Sequence, residues 1–239
     1  MMKLNKENLN KLHEGKTKDV YQYSDNVVCL HLKADASGAW QNRLITSDYY
    51  FNKFNDAGIC THYLNSDSDE NLMLLRAGKP LKSGLQGVVR YFARDCLLEK
   101  SPDARAEATQ ELACFEISLE DDAQNFSPLA EAELEKQGIM TKLQYEQARR
   151  ICCSAARIMQ ADLQTESLTL VDVKFEVGLI ADQLALIGEI TADMMRVVKG
   201  AVLAENLLTS AQLTQIVITQ ARRAKLVDVL LANQDNCCI

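Results

Sequence analysis

The chain has 239 residues, 47% of them hydrophobic and 25% charged, a balance that fits one large folded domain or two small lobes and excludes a disordered chain. A net charge of −7 leaves no basic stripe for nucleic acid, so any anionic ligand has to be held by a local cluster of cations. No apolar run reaches the roughly 18 residues that a membrane span needs, and the polar start from Met1 to Lys11 predicts no signal peptide, so the expected setting is the cytoplasm with neither membrane nor nucleic acid as partner.

In chain order, the first hundred residues carry short apolar runs, among them Val27 to Leu32 and Gly87 to Phe92, broken by Gly, Asp, Asn and Ser. They predict strands of a mainly antiparallel sheet, with Trp40 beside Gly38 in a turn. From Ser101 to Gly138 the chain is acidic and Ala/Glu-rich with weak periodicity, which predicts irregular or short helical structure. A helix starts at Thr141, where Gln144 completes a capping box and Ala148, Ile151, Cys152, Ala155, Ile158 and Met159 keep helical spacing. Leu168 to Ile190 reads as a hairpin. Thr209 and Gln212 cap a last helix with Leu213, Ile216, Val217, Val227 and Leu230 in its stripe. The eight cysteines, at 29, 60, 96, 114, 152, 153, 237 and 238, lack zinc-site spacing and read as reduced thiols that mostly fill core.

The hairpin's first arm, Leu170-Val171-Asp172-Val173-Lys174-Phe175-Glu176-Val177-Gly178-Leu179, alternates strictly. The alternation predicts Val171, Val173, Phe175 and Val177 on one face of a strand and Asp172, Lys174 and Glu176 on the other. Such a row is either a solvated ion-pair face or one wall of a site. If the turn around Ala181 to Leu184 takes four residues, Glu189 falls opposite Glu176. Two facing carboxylates repel unless a cation lies between them, and magnesium beside a nucleotide suits that pair.

Glu14-Gly15-Lys16-Thr17-Lys18-Asp19 contains two lysines two apart, which in extended chain point the same way, and a glycine that lets backbone approach a ligand. The group is either a phosphate clamp or a solvated strand face. It is no P-loop, because the glycine that motif needs five residues before Gly15 is Asn10. Arg90, closing the apolar Val88-Val89-Arg90, suits a bidentate carboxylate or phosphate contact and equally a structural ion pair. His13, His31 and His62 are scattered and read as structural.

These pieces together resemble the SAICAR synthetase family. Leu12-His13-Glu14-Gly15-Lys16-Thr17-Lys18-Asp19-Val20-Tyr21 resembles its opening glycine-lysine strand, Ala57-Gly58-Ile59-Cys60-Thr61-His62-Tyr63 its AGI-x-TH-aromatic segment, and Val88-Val89-Arg90 its VVR strand. Leu170 to Leu179 is similar to its most specific signature, and Gly188-Glu189-Ile190-Thr191-Ala192-Asp193-Met194-Met195-Arg196 to the segment that follows. The resemblance runs in order from Leu12 to Arg196. It implies an α+β, ATP-grasp-like fold of two lobes with antiparallel sheets and C-terminal helices: a nucleotide-binding lobe over 1–85, a central lobe over 86–200 and a helical part over 201–239.

The same resemblance implies an ATP-dependent ligase of purine biosynthesis that activates a carboxylate as its acyl phosphate and captures it with an aspartate-type amine. ATP and magnesium are the implied cofactors and small molecules the implied partners, with a homodimer left open. Gly15, Lys16, Lys18 and Lys174 would meet the nucleotide, Asp172, Lys174 and Glu176 would form the catalytic group, and Glu176 and Glu189 would hold the metal. Arg90, Arg94, Asp193 and Arg196 would face the substrate.

Departures accompany the match. The family's RN-x-AAGS phosphate loop reads Arg90-Tyr91-Phe92-Ala93-Arg94-Asp95-Cys96, and Gly188 stands where the family has a metal-site aspartate. The HDP element is absent around Asn125 to Pro128, and the SAFDG-like loop is reduced to Ser37-Gly38-Ala39-Trp40. An altered carboxylate or amine is therefore the leading expectation. The family's ordinary reaction, a pseudoenzyme and a small-molecule kinase are the alternatives.

Overall fold

The structure, a computed structural model, describes residues 9–33, 39–92, 114–120, 126–202 and 204–235. Strands β1 (Asn10–Glu14), β2 (Lys18–Ser24), β3 (Val27–Leu32), β4 (Tyr63–Asp67) and β5 (Leu72–Arg76) form an antiparallel sheet in the order β1-β2-β3-β5-β4. Asp25 and Asn26 alone connect β2 to β3, since Ser24 pairs with Val27. Leu30 and Leu32 of β3 and Met73 and Leu75 of β5 are buried, as alternation on apolar strands requires.

Helix α1 (Ala39–Asp56) covers this sheet, where the apolar runs alone predict only strands. Leu44, Tyr50, Phe51 and Phe54 are buried along one side of it, and the Phe51 ring stacks on Tyr63 with centroids 5.4 Å apart. Each such aromatic withdraws enough apolar surface to contribute about 1.5–3 kcal/mol. Trp40 thus lies in the first turn of a helix rather than in a loop.

The second sheet is built from β6 (Lys79–Pro80), β7 (Leu85–Arg90), β8 (Cys114–Glu120), β9 (Phe126–Leu129), β10 (Leu168–Ile180), β11 (Gln183–Ile187) and β12 (Met195–Lys199). Its order is β11-β10-β7-β8-β9, with β12 and β6 also paired to β10, so the 13-residue β10 is its central strand. Strand β8 lies where irregular or helical structure is expected. Its Phe115, Ile117 and Leu119 alternate with polar neighbours, a signal hidden by the acidic stretch before it.

Two local features of β10 correct the strand reading. A register shift between Leu170 and Asp172 interrupts its pairing with β12, and Leu170, Val173, Phe175 and Val177 share the main core while Val171 joins Val198 in a separate cluster. The extra residue of a bulge breaks the alternation there, which is why Val171 leaves the face of its neighbours. The turn into β11 takes two residues rather than four. Ala181 and Asp182 both have positive φ, 45° and 65°, the form whose twist matches the flanking strands, and Glu176 therefore pairs with Ile187.

Helix α2 (Glu131–Lys136) precedes α3 (Lys142–Gln164), whose Thr141–Gln144 capping box forms as the sequence predicts. Ala148, Cys152, Ala155, Met159 and Leu163 of α3 are buried against the second sheet. Helix α4 (Ser210–Asp235) has the reciprocal Thr209–Gln212 cap and packs on α1, with Leu213 and Val217 buried. Among the described residues, no helix is long and apolar enough to cross a membrane.

Candidate active site

The register of the second sheet sets three polar rows on one face. Asp172, Lys174 and Glu176 of β10 lie beside Arg90, Val88 and Gln86 of β7, and these beside Cys114, Glu116 and Ser118 of β8. Val88, Arg90, Ser118, Asp172, Lys174 and Arg196 line a hollow of about 390 Å³, with the exposed Asp193 at its rim. A second hollow of about 210 Å³ continues along the face past Gln86, Glu120 and Glu176.

Asp172 is 4% exposed and sits between two guanidinium groups. Arg90 donates to it from Nη1 at 2.8 Å and to Glu116 from Nη2 at 2.7 Å. Arg196 donates from Nε to both Asp172 oxygens at 3.0 Å and again from Nη2. Both arginines are thereby held on the wall of the hollow, and a guanidinium there is suited to an anion. Lys174 is half-buried beside them. Burial lowers its pKa, Asp172 opposes that, and Arg90 and Arg196 add to it.

Glu176 makes no hydrogen bond or ion pair among the described residues. Burial raises its pKa, the Lys18 charge opposes the rise and Glu189 adds to it. Glu189 behaves otherwise: it is 5% exposed, with both oxygens engaged. Lys18 Nζ donates to Oε1 at 2.8 Å, and Arg43 of α1 donates from Nε to Oε2 and from Nη2 to Oε1, both at 2.9 Å. The two-residue turn explains why the expected facing of Glu176 and Glu189 fails: Ile187 takes the opposite position, and Glu189 lies beyond the end of β11.

The segment around Glu189 is fastened on both sides. His62 donates from Nε2 to the Gly188 carbonyl at 2.9 Å, and burial pushes the His62 pKa down to about 4. Ser47 of α1 donates to the Ile190 carbonyl at 3.1 Å and accepts from its amide at 3.0 Å. Arg43 and Ser47 are contacts of this segment that the sequence reading missed, while His62, read there as structural, holds a backbone carbonyl. Arg43 and Ser47 sit on a helix that the apolar runs concealed, and no local pattern singles out their partners.

Lys16 and Lys18 do not share an extended chain. Lys16 lies exposed in the bend between β1 and β2, where the Gly15 amide donates to the Lys18 carbonyl at 2.9 Å. A Cβ on Gly15 would fall 2.6 Å from that carbonyl oxygen, so the glycine serves the turn's own close approach. Arg94, with Asp95 and Cys96, lies outside the described residues, as do Ser37 and Gly38. A larger groove of about 760 Å³, between Ala57–Cys60, α3 and Ala181–Leu184, holds none of the residues expected to meet nucleotide, metal or substrate.

Comparison with known proteins decides the family. The model of SAICAR synthetase matches residues 11–207. The chain belongs to the SAICAR synthetase family. It is 26% identical over 211 residues to the phosphoribosylaminoimidazole-succinocarboxamide synthase of Clostridium tetani, covering 80% of this chain and 93% of the relative. The synthase of the same name from Sulfurisphaera tokodaii is 30% identical over 198 residues, 78% of this chain and 83% of that one. A solved type-2 SAICAR synthetase in complex with ADP superposes with a TM-score of 0.65 at 19% identity, over 81% of this chain and 84% of that one, a likeness of fold. As a SAICAR synthetase family member the chain is an ATP-dependent carbon–nitrogen ligase of α+β fold. The polar face of its second sheet gathers Arg90, Lys174 and Arg196 around one hollow.

Proposed function

We propose that this chain carries out the reaction its relatives are named for, joining a carboxylated aminoimidazole ribotide to aspartate in cytoplasmic purine biosynthesis. The observation that supports this reading is the cation frame of the 390 Å³ hollow, where Arg90, Lys174 and Arg196 converge around one buried carboxylate. The reaction moves the γ-phosphoryl group of ATP onto a substrate carboxylate oxygen and releases ADP. The amine nitrogen then attacks the carbonyl carbon, loses a proton and expels phosphate with that oxygen, leaving the amide.

Each residue has a role in this account. Lys174 neutralises charge on the transferred group, the more strongly for its partial burial. Lys18, with donors beyond the one given to Glu189, and Lys16 on its exposed bend reach nucleotide phosphates. Arg90 and Arg196 hold the anionic substrate, fixed by Asp172, and Asp193 on the rim suits the cationic amine. Magnesium on the nucleotide phosphates fits Glu176, a cleft-face carboxylate with no hydrogen bond or ion pair among the described residues, but does not fit Glu189, whose oxygens are both taken.

One sequence observation favours a second reading with an altered carboxylate. Asp95 and Cys96 stand where the resemblance expects a glycine and a serine around a ribose phosphate, and a carboxylate there repels it. ADP release separates the readings. Release that requires both the ribotide and aspartate is the expected result. Failure with the ribotide, repaired by Asp95→Gly with Cys96→Ser, establishes the altered substrate. Release without any amine would indicate a kinase, and no release with any carboxylate a pseudoenzyme.

A further inference from the structure

The geometry points to Glu189 as a positioning residue that latches the two sheets and aims Lys18, and not as a metal ligand; of the two carboxylates expected to hold the metal, Glu176 is then the one left to meet it. This rests on the nucleotide reading above and concerns how that site takes its divalent ion. A ligand oxygen has to present a lone pair to the ion without a competing cation in place. The Arg43 fork spans both Glu189 oxygens, with Nη2 also 2.7 Å from Oε2, and Lys18 adds a contact of 2.8 Å to Oε1. A metal that recruited this buried carboxylate would strip it from two cations and leave both charges uncompensated.

Gly188 closes the other route to a second carboxylate. Its φ of +78° belongs to the left-handed region, and a Cβ on it would fall 2.6 to 2.8 Å from the carboxyl atoms of Glu176. The Glu176 carboxyl therefore fills the space in which a side chain at position 188 would begin. Among the described residues no group of three or more His, Cys, Asp or Glu side chains is arranged to hold a metal.

The latch has its own consequence. Lys18 comes from β2 of the first sheet, Arg43 from α1, and Glu189 from the exit of β11 in the second sheet. One buried carboxylate thus ties Lys18 of the first sheet and Arg43 of α1 to the second sheet and fixes the place of the Lys18 ammonium. Positioning of this kind acts on the nucleotide directly and on the metal only through it.

The test measures ADP affinity by calorimetry with and without Mn²⁺, and reads the gain that the metal confers. In Glu176→Gln that gain falls to near one. In Glu189→Gln it is unchanged, while ADP affinity drops about tenfold under both conditions, the order expected when one charge-assisted contact is lost. Loss of the metal gain in Glu189→Gln would overturn the proposal. Should that variant not fold, Mn²⁺ alone titrated into the unaltered, nucleotide-free protein decides: no saturable binding below millimolar metal supports the single-carboxylate site, and saturable binding overturns it. Absence of ADP binding under every condition would instead overturn the nucleotide reading, and the metal-only titration would still judge Glu189.

Discussion

Asp172 and Arg90 are bound at 2.8 Å across paired strands, at a register position where β10 and β7 set them side by side, and the carboxylate has almost no contact with solvent. With Arg196 on its other side, Asp172 is the buried carboxylate that lies between two guanidiniums. Asp172→Asn keeps the shape and removes that charge. The variant is expected to lose about 3 kcal/mol or more of stability, the order seen when one member of a buried ion group is deleted. Urea unfolding of the two proteins measures the difference.

Lys174 and Glu176 remove no core packing when substituted, because both lie on the cleft face away from Val173, Phe175 and Val177. Lys174→Ala or Glu176→Gln is expected to lower ATP turnover by about 100-fold or more, the scale of one lost electrostatic contact to the reacting group. Circular dichroism should be unchanged. Near-normal turnover at saturating ATP and magnesium would remove either residue from the mechanism.

Gly188→Ala is expected to destabilise the fold by about 1–2 kcal/mol, the cost of a left-handed conformation for a residue with a Cβ. The added methyl group also displaces the Glu176 carboxyl, so the metal-dependent gain in ADP affinity should fall in the same variant. Thermal unfolding and calorimetry read the two effects separately.

His62 makes stability depend on pH in a defined window. Its folded pKa of about 4 lies below the ordinary 6.5, chiefly through burial, with the Lys18 charge adding to the depression and the Gly188 carbonyl and Glu189 opposing it. Between those values the unfolded chain binds a proton that the folded chain refuses. The His62 contribution is therefore complete above pH 6.5 and is lost as pH falls toward 4, by up to about 3 kcal/mol. Urea unfolding at pH 7, 5.5 and 4.5 should show this loss in the unaltered protein and a smaller one in His62→Gln.

What the sequence alone determined is what short-range periodicity encodes. Alternation set Lys174 and Glu176 on the face opposite Val173, Phe175 and Val177, and the Thr141–Gln144 and Thr209–Gln212 spacings fixed two helix starts, because each depends on residues within a few positions. The matched order of motifs gave the family for the same reason. Tertiary structure alone decided the partners of Glu189, which come from positions 171 and 146 residues away, and the departure of Val171 at the bulge. It also decided the facing of Glu176 and Ile187, since two turn residues with positive φ shift the register by a pair of residues and move every later side chain with it. A carboxylate's type and strand position are local facts, whereas whether it meets a metal or a guanidinium depends on which distant cation the packing brings within 3 Å.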